Sequence, residues 1–97
     1  ILRSEIRHTA NSFWMKIREV FARNLRRSRH ARGLSQEALA HEADMDRTYI
    51  SALERGLYSA SIDTVAKLAE VLGIEPDELL QRLPKPPRGK SSNAAHG

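Results

Sequence analysis

The chain has 97 residues, 40% of them hydrophobic and 5% aromatic, which supports a single small domain with a modest core. It has no cysteine, so neither a disulfide framework nor a thiolate zinc site is available, and its apolar runs are too short to span a membrane. The net charge of +4 hides an uneven distribution: residues 1–33 carry nine Lys or Arg against two acids, residues 34–83 four against ten, and residues 84–97 three against none. Two basic arms flank an acidic body, and with no apolar secretory core near the first residues the expectation is an intracellular, cytoplasmic protein.

In chain order, residues 1–11 read as a flexible segment. Asn11 or Ser12 is placed to cap a long first helix running to about Arg32, with Phe13, Ile17, Val20, Phe21, Asn24, Leu25 and Ser28 on one face and Gly33 as its C-terminal stop. Leu34 follows as a buried anchor and Ser35 as a new cap, so the second helix, about Gln36 to Ala43, begins at a sharp angle. Asp44, Met45 and Asp46 form a turn; Asp46 caps the third helix, and Gly56 ends it after Arg55. Ser61 caps a fourth helix whose Ile62, Val65, Leu68, Ala69 and Leu72 form a core-facing stripe up to Gly73. Pro76 suits the first turn of a fifth helix, with Leu79, Leu80 and Leu83 facing inward. Residues 84–97 have almost nothing to bury and read as a disordered basic tail. The expected fold is therefore all-α, a compact five-helix domain over residues 12–83.

The segment from Gln36 to Arg55 carries the function. Leu39, Ala40 and Ala43 recur at helical spacing in its first half and Ile50 and Leu53 in its second, and Ala40 is small where a second helix must cross closely. The outward face of the third helix is read as Arg47, Thr48, Ser51 and Ala52. Arg is the commonest specific partner of guanine in the major groove, and a Thr methyl or Ala packs on the thymine methyl. A short projecting helix with these side chains is built for base edges.

These motifs resemble the Cro/repressor-type helix-turn-helix family, also called the xenobiotic-response-element class. The resemblance runs from about Phe21 to Leu80 and rests on several linked motifs: Arg29 and Arg32 through Gln36, Leu39-Ala40, Ile50-Ser51, Leu53 through Gly56, Ser61 through Thr64, and Leu68-Ala69 through Leu72-Gly73. Asp46 through Ser51 is most similar to the recognition segment of restriction–modification controller proteins. The resemblance implies a lambda-repressor-like fold and a prokaryotic, sequence-specific regulator of transcription. It places Gln36 on phosphate, Arg47, Thr48 and Ala52 at base edges, and Ser51 at phosphate, and it implies a structural ion pair between Arg29 and Glu54.

Two positions depart from the family pattern. Asp44 stands where Gly is usual in the turn, and Asp tolerates the left-handed backbone that the turn requires. Ala60 replaces the Pro that commonly precedes Ser61, and the loop lacks the usual basic residues, leaving Tyr58 and backbone amides to meet phosphate. Arg55 is a further phosphate neighbour. Tyr49 lies on the flank of the third helix, with packing against the fourth helix and a DNA-backbone contact as its two readings.

No catalytic constellation is present in the sequence, so no enzyme is expected. His8, His30, His41 and His96 lack ligand spacing, and neither metal nor cofactor is expected. One recognition helix reads only a few base pairs, which favours a homodimer on a palindromic operator. The candidate dimer surfaces are the front of the first helix, with Phe13, Trp14 and Ile17, and the last helix, with Leu79, Leu80 and Leu83. The competing reading is a protein-interaction module of the same fold, antitoxin-like or coactivator-like, with a protein partner on the Trp14 stripe.

Overall fold

The computed structural model describes residues 16–82, and helix α1 (Ile17–Ala31) is the strut of that region. The cap expected at Asn11 or Ser12 lies outside the described residues, as do Phe13, Trp14, Leu83 and the tail. Within them, α1 opens after Lys16, whose backbone is extended (φ −60°, ψ 145°). The helix buries Val20, Phe21, Ala22, Asn24, Leu25 and Arg29 and ends at a Gly33 with φ 70°, a conformation that costs glycine little.

Helix α2 (Gln36–Ala43) starts where the Ser35 hydroxyl accepts the Ala38 N–H at 2.9 Å. It stops at Asp44, the only non-glycine with positive φ among the described residues (φ 58°, ψ 48°). Helix α3 (Arg47–Glu54) follows the turn at once. Asp46 occupies its N-cap position with extended backbone, yet its side chain makes no capping hydrogen bond, contrary to the sequence expectation. Helix α4 (Ile62–Leu72) is capped by Ser61, which accepts the Thr64 N–H at 3.0 Å, and closes on Gly73 (φ 73°).

The expected fifth α-helix is instead a 3-10 helix, Pro76–Leu80, so four α-helices are present among the described residues and no strand. Five residues between two extended positions, Glu75 and Gln81, are too few for an i→i+4 ladder. A tight reciprocal box of Glu75 and Glu78 closes the segment on i→i+3 spacing, and the Glu78 N–H donates to the Glu75 carbonyl at 3.0 Å.

Leu25, Leu39, Ile50, Leu53 and Leu68 are fully buried at the centre, joined by Phe21, Leu72 and Leu79. Each contributes about 1.5–3 kcal/mol relative to an exposed side chain. Helix α3 packs on both α1 and α2, α4 packs on α2, and the 3-10 helix packs on α1 and α4. Two sequence placements change. Ile62 is 85% exposed, because the inward line of α4 starts one turn later, at Val65. Leu79 is 0% exposed, inward as expected and therefore unavailable as a dimer surface, whereas Leu80, also expected to face inward, is exposed because it closes a short 3-10 segment, as is Ile17 at the start of α1.

Arginines at every third position of α1 fasten the other elements. Arg23 donates to the carbonyls of Gln81 and Arg82, Arg26 to that of Glu54 at 2.7 Å, and Arg32 to that of Val71 at 3.1 Å. Those carbonyls lie at the ends of the 3-10 helix, α3 and α4, where helix backbones leave acceptors unpaired and their dipoles favour cations. Much of the positive charge of the first arm is thus engaged within the molecule. Asn24 completes the belt, donating to the Leu79 and Gln81 carbonyls at 3.0 and 2.7 Å.

Candidate nucleic-acid interface

The αL residue Asp44 lets the chain reverse over Asp44, Met45 and Asp46, and half-buried Met45 pins that turn against the core. Helix α3 is held from behind by Ile50 and Leu53, both fully buried, and its first turn presents Arg47 and Thr48 to solvent. Ser51, one turn on, is half-buried. Ala52, read from the sequence as a third outward position, is only 7% exposed. An eight-residue helix packed on two neighbours has a narrow outer face, and Ala52 falls inside its edge. Tyr49 is half-buried and packs against the core cluster.

Gln36 lies beside α3 although it opens α2. Its Nε2 donates to Glu54 Oε1 at 3.0 Å. Arg29 Nη2 donates to the same oxygen at 2.8 Å, and Arg29 Nε donates to Glu54 Oε2 at 2.6 Å. Arg29 Nη1 also reaches the Leu34 carbonyl at 2.9 Å, so the guanidinium ties α1, the α1–α2 turn and α3 into one unit. The hydrogen bonds to Glu54 hold the Arg29 guanidinium above its ordinary pKa, against the opposing effect of burial. Among the described residues, no buried side-chain nitrogen or oxygen is left without a partner.

Gln36, Ser51 and Arg55 line one groove of about 570 Å³ with Arg23 and Arg26 of α1 and with Glu19. Arg55 is exposed at the end of α3, and Tyr58 is 58% exposed in the loop beyond it. The structure thus brings together Gln36, Ser51 and Arg55, and keeps Arg47 and Thr48 on the adjoining solvent face of α3. Sequence reasoning missed Arg23 and Arg26 at this groove. The spacing Arg23, Arg26, Arg29, Arg32 gave no sign of this, since a basic run on one helix reads equally as a solvated face. Among the described residues, no cluster of three or more His, Asp or Glu side chains is positioned to hold a metal ion, and no helix is long and apolar enough to cross a membrane.

Comparison with known proteins places this geometry. A helix-turn-helix family model matches residues 25–79, from the middle of α1 to the 3-10 helix. The control protein C.BamHI of Bacillus amyloliquefaciens is 43% identical over 65 residues, 66% of this chain and 80% of that protein. The crystal structure of the restriction–modification controller protein C.AhdI from Aeromonas hydrophila matches with a TM-score of 0.62 and 45% identity, over 64% of this chain and 94% of that one. SinR, the master regulator for biofilm formation, solved in complex with DNA, matches with a TM-score of 0.61 and 29% identity over 63% of this chain and 98% of its own. With its turn, its paired short helices and its sequence all in agreement, the chain belongs to the helix-turn-helix family, together with the restriction–modification control proteins.

Proposed function

We propose that this protein is a transcriptional regulator that binds double-stranded DNA sequence-specifically, with α3 in the major groove and two copies reading the halves of a palindromic operator in a prokaryotic cytoplasm. The observation that carries the reading is the exposed first turn of α3: Arg47 and Thr48 stand free on a helix whose opposite face is locked into the core. A protruding guanidinium with a methyl-bearing hydroxyl beside it matches the donor and methyl patterns of the major groove. Gln36, Ser51 and Arg55, which share one groove, and Tyr58 in the loop beyond α3 serve as phosphate contacts that set the register of α3, while Tyr49 supports the helix from its flank. The kinship with controller proteins favours a restriction–modification system as the setting, and the DNA complex of SinR supports the mode of binding.

Selection of bound sites from a random duplex pool, followed by anisotropy titration of the winning site at two salt concentrations, tests this function. The expected result is a two-fold-symmetric site with half-sites about one helical turn apart and affinity that falls steeply with salt. Equal affinity for the selected site and for random duplex would refute sequence-specific reading.

A further inference from the structure

The groove between α1 and α3 is walled by guanidinium, amide and hydroxyl donors from Arg23, Arg26, Gln36, Ser51 and Arg55. Among the described residues, Ala22 supplies the one apolar side chain of its lining, so the groove suits an oxyanion and not an apolar ligand. Two acids also line it. Glu54 is answered by Arg29, whose Nε lies 2.6 Å from its Oε2, so Glu19 is the one lining acid left to oppose Arg26 and Arg55, all three being exposed. Glu19 sits where the end of α3 abuts α1: a β-carbon on Gly56 would stand 3.8 Å from its Cγ.

We propose that Arg26 grips a phosphate diester of the bound duplex, which makes α1 a third element of the DNA interface beside α2 and α3; this assignment rests on the DNA-binding function proposed above. Arg26 Nη1 donates to the Glu54 carbonyl at 2.7 Å. A carbonyl is neutral, so the guanidinium keeps its full charge, and a single hydrogen bond takes up only part of its fork of donors. The side chain is exposed, and the rest of that fork offers paired, charge-assisted hydrogen bonds of the kind that phosphate oxygens accept. Location selects the ligand. The groove shares Ser51 and Arg55 with α3 and Gln36 with α2, so an anion seated in it lies against the helix whose first turn carries Arg47 and Thr48. With α3 in the major groove, the flanking backbone is the nearest row of oxyanions. The hydrogen bond to the Glu54 carbonyl ties the Arg26 guanidinium to the end of α3, so a phosphate held there sets the register of the reading helix directly. Glu19, at the edge, opposes that phosphate and moderates the grip of α1.

Anisotropy titrations of the full chain on the selected duplex over a salt series, together with phosphate-ethylation interference, test this role. Arg26→Gln is expected to weaken binding severalfold and to lower the slope of log affinity against log salt by roughly 0.9, with base preference unchanged. It is also expected to become indifferent to ethylation at a phosphate where ethylation blocks the wild type. Arg26→Lys is expected to keep the slope, and Glu19→Gln to bind severalfold tighter. Arg27→Gln, exposed on the same helix but outside the groove, is expected to change none of these. If Arg26→Gln lowers helix content, Glu19→Gln carries the test, and unchanged affinity there would count against the groove. A folded Arg26→Gln with the wild-type slope and interference pattern would overturn the proposal and leave Arg26 as a staple on α3. Equal affinity of the wild type for selected and random duplex is a separate failure: it removes sequence-specific reading, while the salt slope on random duplex still reports whether Arg26 meets phosphate.

Discussion

Glu54 Oε1 receives two donors at once, Nη2 of Arg29 at 2.8 Å and Nε2 of Gln36 at 3.0 Å, so one carboxylate at the end of α3 fixes both the strut behind it and the first residue of α2 beside it. The side chains of Arg29 and Glu54 are 9% and 2% exposed. A buried pair of this kind is weakly stabilising as a whole, but removing one partner strands a desolvated charge, at a cost of about 3–5 kcal/mol. Arg29→Ala and Glu54→Ala are each expected to lose that much in urea unfolding. Arg29→Met with Glu54→Leu together is expected to lose much less than the sum of the single losses. A double variant as unstable as the sum would show that each residue acts alone. With its pKa raised, Arg29 stays charged throughout the neutral and mildly alkaline range. Its contribution is complete below the unfolded-state pKa of arginine and lost only as pH rises through the still higher folded value, so alkaline titration within ordinary buffers leaves stability from this pair unchanged.

Arg47 tests the reading of bases. It is exposed in the first turn of α3, so Arg47→Ala is expected to leave the unfolding midpoint in place while removing about 1–3 kcal/mol of discrimination at a single base pair. Competition binding with operator variants measures this directly. Equal weakening on every sequence, random duplex included, would reassign Arg47 to phosphate. Ala52→Ser provides the contrast: as a mostly buried position it is expected to alter stability more than base preference.

Most of the helix-turn-helix was legible in the sequence because its determinants are local. Ser35 and Ser61 precede helices as hydroxyl caps, Gly33 and Gly73 supply left-handed stops, and the pairs Leu39 and Ala43, Ile50 and Leu53, and Val65 and Leu68 recur at helical spacing on the buried face of their own helices. The misplacements are tertiary. Ile62 fits the helical period but sits past the layer it was meant to cover, Leu80, read as inward, stays exposed, and Ala52 falls inside because neighbouring elements close over it. The roles of Arg23, Arg26 and Arg32 were illegible for a different reason. A basic run on one helix reads as a solvated or phosphate-seeking face, and only the folded chain brings the carbonyl ends of three other elements within reach.

The phosphate contacts make a prediction through salt. Each neutralised phosphate adds roughly 0.9 to the slope of log affinity against log salt concentration. Arg55→Ala is expected to lower that slope by about one such increment, with base preference kept. Tyr58→Phe, which removes a neutral donor, is expected to weaken binding with the slope unchanged. An Arg55→Ala slope identical to wild type would remove Arg55 from the interface.

The caps separate structural from formal helix starts. Ser61 accepts the Thr64 N–H at 3.0 Å, so Ser61→Ala is expected to cost about 1 kcal/mol in chemical unfolding, as is Ser35→Ala. Asp46 occupies the same position on α3 without that bond, and Asp46→Ala is expected to cost under about half as much. A loss at Asp46 equal to that at Ser61 would mean that its carboxylate reaches the α3 amides in solution.

The turn itself holds the last test. Asp44 adopts φ 58°, ψ 48°, where an L side chain brings its β-carbon close to the following carbonyl at a cost of roughly 1–2 kcal/mol, and where Asp is among the few residues tolerated. Asp44→Ala retains the β-carbon but gives up the polar side chain, so it is expected to destabilise. Asp44→Gly removes the steric clash while adding backbone freedom to the unfolded chain. These two effects oppose, so Gly is expected to equal or exceed wild-type stability by up to about 1 kcal/mol. Helix α3 is set by this turn, so DNA affinity should follow the same order, Gly at or above Asp and both above Ala. Thermal melts and anisotropy titrations of the three forms check the two rankings together, and an alanine variant as stable as glycine would show that the left-handed backbone costs nothing there.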